Sequence, residues 1–286
     1  LHPQTRAQAQ IQKSEKVVRM PLNWMDVTSL SFNALLLLER VQLRWLPGWG
    51  LPKEPWALAL QANSGVAWYL RHKCPEIAPW VNELLALELP PEATVRLREA
   101  EMAILQALED LMVYAVDPAR YDAQPFTRWD DRELTDLVDF SGKTVLDIGA
   151  GTGRLAFIAA GAALGTAGAA AVFAVEPVEN LRHYMRARAR ERGLTNFYAV
   201  DGLITDIPFP DGFADVVLGG HVFGDEPEAE LAELERVAKA GGSIILCPAS
   251  TLSESKQHEF LIAHGFAWAV FEEPGAGPVR KYWKTR

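Results

Sequence analysis

The run TVLDIGAGTGRLAF (144–157) leaves few folds open. A short apolar segment passes through Gly149, Gly151 and Gly153 into a second apolar segment that reads as a helix. A strand that turns through glycines into a helix is the opening of an α/β unit whose turn lies under a nucleotide. The segments that follow repeat the alternation. AVFAVE (171–176), FYAV (197–200), ADVVLGG (214–220) and SIILCPA (243–249) read as strands separated by helical segments. Such alternation predicts a parallel sheet covered on both faces. FAWAVFEE (266–273), a PGAGP turn (274–278) and VRKYWKT (279–285) add an antiparallel hairpin at its edge, for seven strands in all.

The first 115 residues have a different texture. Ser29 to Trp45 presents a leucine-rich helical face, and Pro55 stands where a first helical turn accepts proline, opening PWALALQANSGVAWYLRHK. Residues 76–89 and 91–116 continue the pattern, with Val95, Leu97, Met102, Leu105, Leu108 and Leu111 near helical spacing. The chain is therefore expected to divide into a helical N-terminal or cap domain, 1–118, and an α/β domain, 119–286. Residues 117–140 form the junction, a proline loop and a short capped helix. Seven of the nine tryptophans precede residue 131. They are read as core packing and helix anchoring, with an aromatic wall facing a substrate as the alternative. The Ser29–Trp45 helix is a candidate surface for a homodimer.

Charge and cysteines narrow the partners. A formal net charge of −9 repels phosphate backbones, so neither a nucleic acid nor an anionic membrane is expected. Cys74 and Cys247 are far apart and in no metal-ligand spacing, which fits a reducing, cytoplasmic setting and no metal site. The opening LHPQTRAQAQIQKSEK is polar, without the apolar core of a signal peptide. Residues 155–175 hold no charge and are long enough to mimic a membrane span. Their glycines and alanines read instead as a small-residue helix, a break at Gly165–Gly168 and a buried strand.

A dinucleotide turn has glycine at the sixth position of G-x-G-x-x-G, and here that position is Arg154. The segments VLDIGAGTGRL (145–155), AVEPVENL (174–181), VDGLITDIPFPDGFADVVLGGHVF (200–223) and ERVAKAGGSIIL (235–246) follow one another as in another family. In their order and intervals, residues 120–286 resemble the class I S-adenosylmethionine-dependent methyltransferases, the group that includes the type 11 domains. The resemblance implies a Rossmann-like, mostly parallel seven-stranded sheet with an antiparallel C-terminal hairpin. It also implies S-adenosyl-L-methionine as cofactor, with S-adenosyl-L-homocysteine as product. In the family the loop holding Gly149, Ala150 and Gly151 lies under the methionine part of the cofactor, and Asp147 orients its cationic end, directly or through water. Glu176, followed by Pro177, takes the ribose hydroxyls. Asp201, beside Gly202, matches the acidic residue that meets the adenine amino group, with Asp206 as a rival. Gly219 ends the fourth strand beneath the same ligand. Tyr121 and Arg128 fall in a segment that closes over the cofactor in related enzymes. There Arg128 either meets the methionine carboxylate or pairs with Asp130 or Asp131.

Methyl transfer is an in-line displacement, so alignment of nucleophile, methyl and sulfur does much of the work. An acceptor hydroxyl or ammonium also needs a base. His221, after the fourth strand, is the candidate, since histidine titrates near neutrality and ligands of such folds bind at this sheet edge. Its alternative roles are a loop hydrogen bond or a simple cofactor contact. GGHVFGD stands where enzymes methylating amides carry D/N-P-P-Y, and no Pro-Cys nucleophile loop is present. Cys247 precedes Pro248 in the reverse order and is read as core filling. The arginines of 181–193 read as a solvated helix face. The expected activity is methylation of a small-molecule acceptor. The alternatives are methylation of a protein or RNA docked on the helical domain and a non-catalytic cofactor-binding scaffold; an NAD-dependent oxidoreductase is disfavoured by Arg154 and the hairpin.

Overall fold

The computed structural model describes residues 25–90, 95–161 and 168–286. The expected opening segment, residues 91–94 and the Gly165 end of the expected break lie outside these. Seven strands form one sheet: β1 Thr144–Ile148, β2 Ala171–Val175, β3 Phe197–Val200, β4 Ala214–Gly219, β5 Ala238–Thr251, β6 Ala267–Glu273 and β7 Gly277–Thr285. Their order is β3-β2-β1-β4-β5-β7-β6. The first five are parallel, and β7 runs antiparallel to both β5 and β6. Every strand expected from the sequence is present, within the Rossmann-like architecture the resemblance implied. Val145, Leu146 and Ile148 on β1 and Val216, Val217 and Leu218 on β4 are fully buried, as central strands covered on both faces require.

Because β7 is reversed, β6 again points the same way as β1 to β5. The carboxyl end of β6 therefore lies at the same sheet edge as the carboxyl ends of β1, β2 and β4. In doubly wound sheets that edge is where ligands bind.

Ahead of the sheet come helices α1 Lys53–Ala62, α2 Ser64–Lys73, α3 Ala78–Leu85, α4 Leu97–Ala107 and α5 Glu109–Val116. Within the sheet region follow α6 Arg154–Ala159, α7 Glu179–Glu191, α8 Pro227–Val237 and α9 Ser255–Ala263. The segment opened by Pro55 divides into α1 and α2 at Asn63, whose side chain donates to Ala59 O at 2.9 Å and to Glu101 at 2.8 Å. Asparagine competes for backbone partners in this way, so a helix breaks there.

The expected helix over Ser29–Trp45 is not formed. Its place is taken by 3₁₀ turns at Val27–Ser29 and Phe32–Leu37 and one helical turn at Arg40–Leu43. Asp26 accepts from the Thr28 N–H and Ser31 from the Asn33 N–H, while Leu30, Ser31, Leu38 and Glu39 are extended. Short polar side chains captured the local donors and stopped propagation. Leu35, Leu38 and Leu43 are fully buried within the chain. Those three leucines are thus spent on an internal core, whereas Leu36 and Leu37 of the same segment stay exposed.

That core gathers Trp56 with Leu60 of α1, Leu70 of α2 and Leu105 of α4, and Trp56 stands edge-on to Trp80 at 5.2 Å. Two further cores cover the two faces of the sheet. Helix α7 joins the halves: Tyr184 donates to Asp122 at 2.8 Å, and Asn180 donates to Ala115 O. Among the described residues no helix is long and apolar enough to cross a membrane.

Candidate functional site

The carboxyl ends of β1, β2 and β4 supply three loops that meet the helical region. Between them lie a small cavity of about 80 Å³ and a larger cleft of about 700 Å³. Tyr121, Gly149, Gly151, Gly220 and His221 line both, so the two meet at these residues.

Asp147 stands near the end of β1, 1% exposed. Its Oδ2 accepts from the Ala156 N–H at 2.9 Å, and its Oδ1 is buried without a partner. Burial pushes its carboxyl up to about 7, the Ala156 N–H opposing and the Glu176 carboxyl adding to the rise. A buried acceptor without a donor costs free energy unless a ligand supplies one. Glu176 follows β2 and is 5% exposed. Its two oxygens accept from the N–H groups of Gly151 at 2.8 Å and Val178 at 2.9 Å. Burial raises this carboxyl too, to about 7, against those two backbone donors. Each oxygen keeps a lone pair, and Glu176 with Pro177 and Gly202 lines the larger cleft.

The glycines divide by what surrounds them. Gly149 has φ +62°, and a Cβ there would overlap Val222 Cγ2 and stand 2.8 Å from Val222 Cβ. At Gly202 a Cβ would meet Pro208 and Val175, and at Gly219 it would meet Val222. These three positions are glycine for packing. At Gly151, φ +56°, a Cβ would meet no atom within 4 Å. That open space borders the cleft and is the one a ligand can use. Gly149→Ala is expected to cost about 2–4 kcal/mol, left-handed strain plus overpacking against Val222. Gly151→Ala should cost about 1 kcal/mol, from strain alone. Urea unfolding of both variants checks this, and equal losses would show that Val222 yields without cost.

His221 is the described non-glycine residue at positive φ, +53°. Its N–H donates to Pro248 O at 2.9 Å, and its Nε2 lies 2.8 Å from Glu273 Oε1. The imidazole is 43% exposed and the Glu273 side chain 3%. Tyr121 is stacked edge-on to Tyr114 at 4.6 Å and leans on Phe126 at 5.3 Å. Burial holds its hydroxyl well above the usual range, so it stays protonated.

Other expected residues stand elsewhere. Arg128 is exposed and lines neither cavity. The acids it was expected to meet have other partners: Arg132 holds Asp130 and Arg154 holds Asp131, both at 2.6 Å. Asp201 has a side chain 75% exposed and pairs with Arg182 at 2.8 Å, outside both cavity linings. Asp206 closes a backbone bridge with Leu203. Ala150 lines the smaller cavity, whereas Gly219 lines neither.

Two residues escaped the sequence reading. Arg154 lines the smaller cavity, its guanidinium 4.6 Å over the Trp129 ring and its Nε buried without a partner. Glu273 ends β6, 52 positions from His221, a separation that no local pattern bridges. Its only sequence signal is a carboxylate closing the strand before PGAGP. The tryptophans divide, Trp56 filling the core while Trp45 and Trp49 line the cleft.

Residues 146–246 match the family model described as a methyltransferase domain. Among solved structures the chain is similar to a SAM dependent methyltransferase from Aquifex aeolicus. The two are 23% identical over 59% of this chain and 98% of that one, with a TM-score of 0.47. It is also similar to precorrin-6y C5,15-methyltransferase from Geobacter metallireducens, 25% identical over 54% of this chain and 84% of that one, with a TM-score of 0.43. A putative methyltransferase from Bacillus halodurans is 20% identical over 50% of this chain and 72% of that one, with a TM-score of 0.43. No curated protein matches the chain significantly. Residues 146–246 form a class I S-adenosylmethionine-dependent methyltransferase domain, and S-adenosylmethionine-dependent methyl transfer is the activity that this domain brings to the chain.

Proposed function

We propose that the enzyme methylates a small molecule held between the cofactor loops and the helical region, with His221 as the base that takes the acceptor's proton. The observation that carries this reading is the cleft of about 700 Å³, lined by the helical region as well as by the cofactor loops. Sites for small ligands run to roughly 300–1,000 Å³, so the cleft is of the size that holds a small molecule. Val41, Trp45 and Trp49 form its wall on the helical side, opposite Glu176 and Phe223. Arg44 approaches Asp225 at 3.9 Å and Glu226 at 3.8 Å, so its guanidinium spans from the helical region to the loop after β4. On this reading residues 1–118 act as a cap and 119–286 as the catalytic unit.

The residues present fit S-adenosylmethionine. Asp147 offers an unpartnered buried oxygen for its cationic amino group, and Glu176 offers carboxylate lone pairs for the ribose hydroxyls. Gly151 leaves open space beside them. Arg154 rather than Arg128 is the arginine set to meet the methionine carboxylate, because it lines the cavity with a buried donor to spare. When bound, the cofactor supplies a methyl group on a positive sulfur, open to displacement in line. The chain's own residues hold that end, exclude water with Trp129 and Phe126, and place His221 at the junction of the two cavities.

Thermal unfolding with S-adenosylmethionine, S-adenosylhomocysteine and NAD in parallel, followed by an acceptor screen for released S-adenosylhomocysteine, tests the reading. Either sulfur ligand at a hundred times its dissociation constant should stabilise the fold by about 2.7 kcal/mol. NAD should give no shift. Turnover that appears only with added RNA or protein would overturn the small-molecule acceptor.

A further inference from the structure

We infer that Glu273 is a positioning residue for His221, fixing the imidazole with its proton on Nε2 and leaving Nδ1 as the atom that receives the acceptor's proton. This rests on the reading of His221 as the base.

Two costly features face each other here. Glu273 is a carboxylate with 3% of its side chain exposed, and taking a charge from water costs several kcal/mol unless it is paired. His221 holds a left-handed backbone conformation that side-chain-bearing residues avoid. Their side chains meet at 2.8 Å. An ionised carboxylate only accepts, so the Nε2 facing it must donate. In a neutral imidazole the other nitrogen then carries the lone pair. Nothing local fixes this arrangement. It follows from the topology: the reversed β7 brings β6 back parallel to the sheet, so β6 ends at the edge where β4 delivers His221. Both residues line the smaller cavity with Asp147 and Gly149. The buried carboxylate therefore stands behind the imidazole, on the side away from solvent.

The test reads the tautomer directly. In protein carrying ¹⁵N-labelled histidine, the ring signals of His221 are assigned by their loss in His221→Gln. At a pH where the ring is neutral, the wild type should show the Nε2–H form alone. Glu273→Leu should show a mixture of tautomers, and Glu273→Asp, which keeps a carboxylate, should retain most of the preference. Should Glu273→Leu fail to fold, Glu273→Gln keeps the size of the side chain while its amide can donate to Nε2, and the same loss is expected. An Nδ1–H form in the wild type, or an unchanged tautomer in the variants, overturns the inference. Turnover separates it from the reading beneath it. A fall in kcat of about 10²-fold in Glu273→Gln, with KM for the cofactor unchanged, supports positioning. Unchanged kcat in Glu273→Gln alongside a slow His221→Ala would overturn the role of Glu273 and leave His221 as the base. Full turnover in His221→Ala would overturn both.

Discussion

Replacing His221 by alanine is expected to slow methyl transfer by about 10²–10⁴-fold while leaving the affinity for S-adenosylhomocysteine within about threefold. The asymmetry follows from where the groups lie. The carboxylates proposed to hold the cofactor, Asp147 and Glu176, belong to β1 and the end of β2, and neither hydrogen-bonds to His221 in the described structure. The fold needs the backbone of His221, whose N–H reaches Pro248 O, and any residue except proline supplies that contact. It does not need an imidazole at φ +53°, where glycine would relieve about 1–2 kcal/mol. Strain held at one residue beside a cleft is most economically explained by what its side chain does. The double variant His221→Gly, Glu273→Gln removes both the strained backbone and the buried carboxylate. It should be at least as stable as the wild type and inactive. Release of S-adenosylhomocysteine with the acceptor found by screening measures the first claim and urea unfolding the second. Wild-type turnover in His221→Ala would assign the proton to another group or to water.

The sheet was legible because its signals are local. Each of the first four strands is a run of mostly apolar residues ended or followed by glycine or an acid, and a parallel sheet buries such runs on both faces. The helical region was harder. Leucine spacing over Ser29–Trp45 resembles a helix, but Asp26, Ser31 and Glu39 hold their own backbone neighbours and break it into turns. Periodicity reports which residues are buried, and that much was right for Leu35, Leu38 and Leu43. It does not report competition for hydrogen bonds. At the site, Asp147, Gly151 and Glu176 are legible for the same reason as the strands, since each closes or follows one. Glycine at 149 was expected to admit a ligand, yet its missing Cβ makes room for Val222, 73 positions further along, which only the folded chain brings near. Arg154 was noticed only for not being glycine. Its place over Trp129 and its pair with Asp131 depend on how the junction folds back, as does the exposure of Arg128.

The affinity for S-adenosylhomocysteine, relative to that for 5′-methylthioadenosine, should rise about 25-fold from pH 5.5 to 7.5. The first ligand carries the amino-acid end and the second lacks it, while both present the same ribose to Glu176. Their ratio therefore isolates the group that meets the amino-acid end, proposed to be Asp147. Burial holds the Asp147 carboxyl at about 7, so below neutrality the free protein keeps it protonated. A protonated acid offers no charge to an ammonium, and binding must expel the proton. Calorimetry near pH 6.5 in two buffers of different ionisation enthalpy should show up to about one proton released by S-adenosylhomocysteine beyond that released by 5′-methylthioadenosine. The stability of the free protein moves the other way. A carboxyl raised from its usual value stabilises the fold fully below about pH 4, and the contribution fades as pH rises through about 7. Ligand-free protein should thus lose stability between those values, and S-adenosylhomocysteine should restore most of it at the upper end. Asp147→Asn should flatten the ratio with pH and weaken S-adenosylhomocysteine far more than 5′-methylthioadenosine. A ratio independent of pH in the wild type would mean that Asp147 does not meet the amino group. Its unpartnered oxygen would then face water, and Arg154 would remain to hold the amino-acid end through the carboxylate alone.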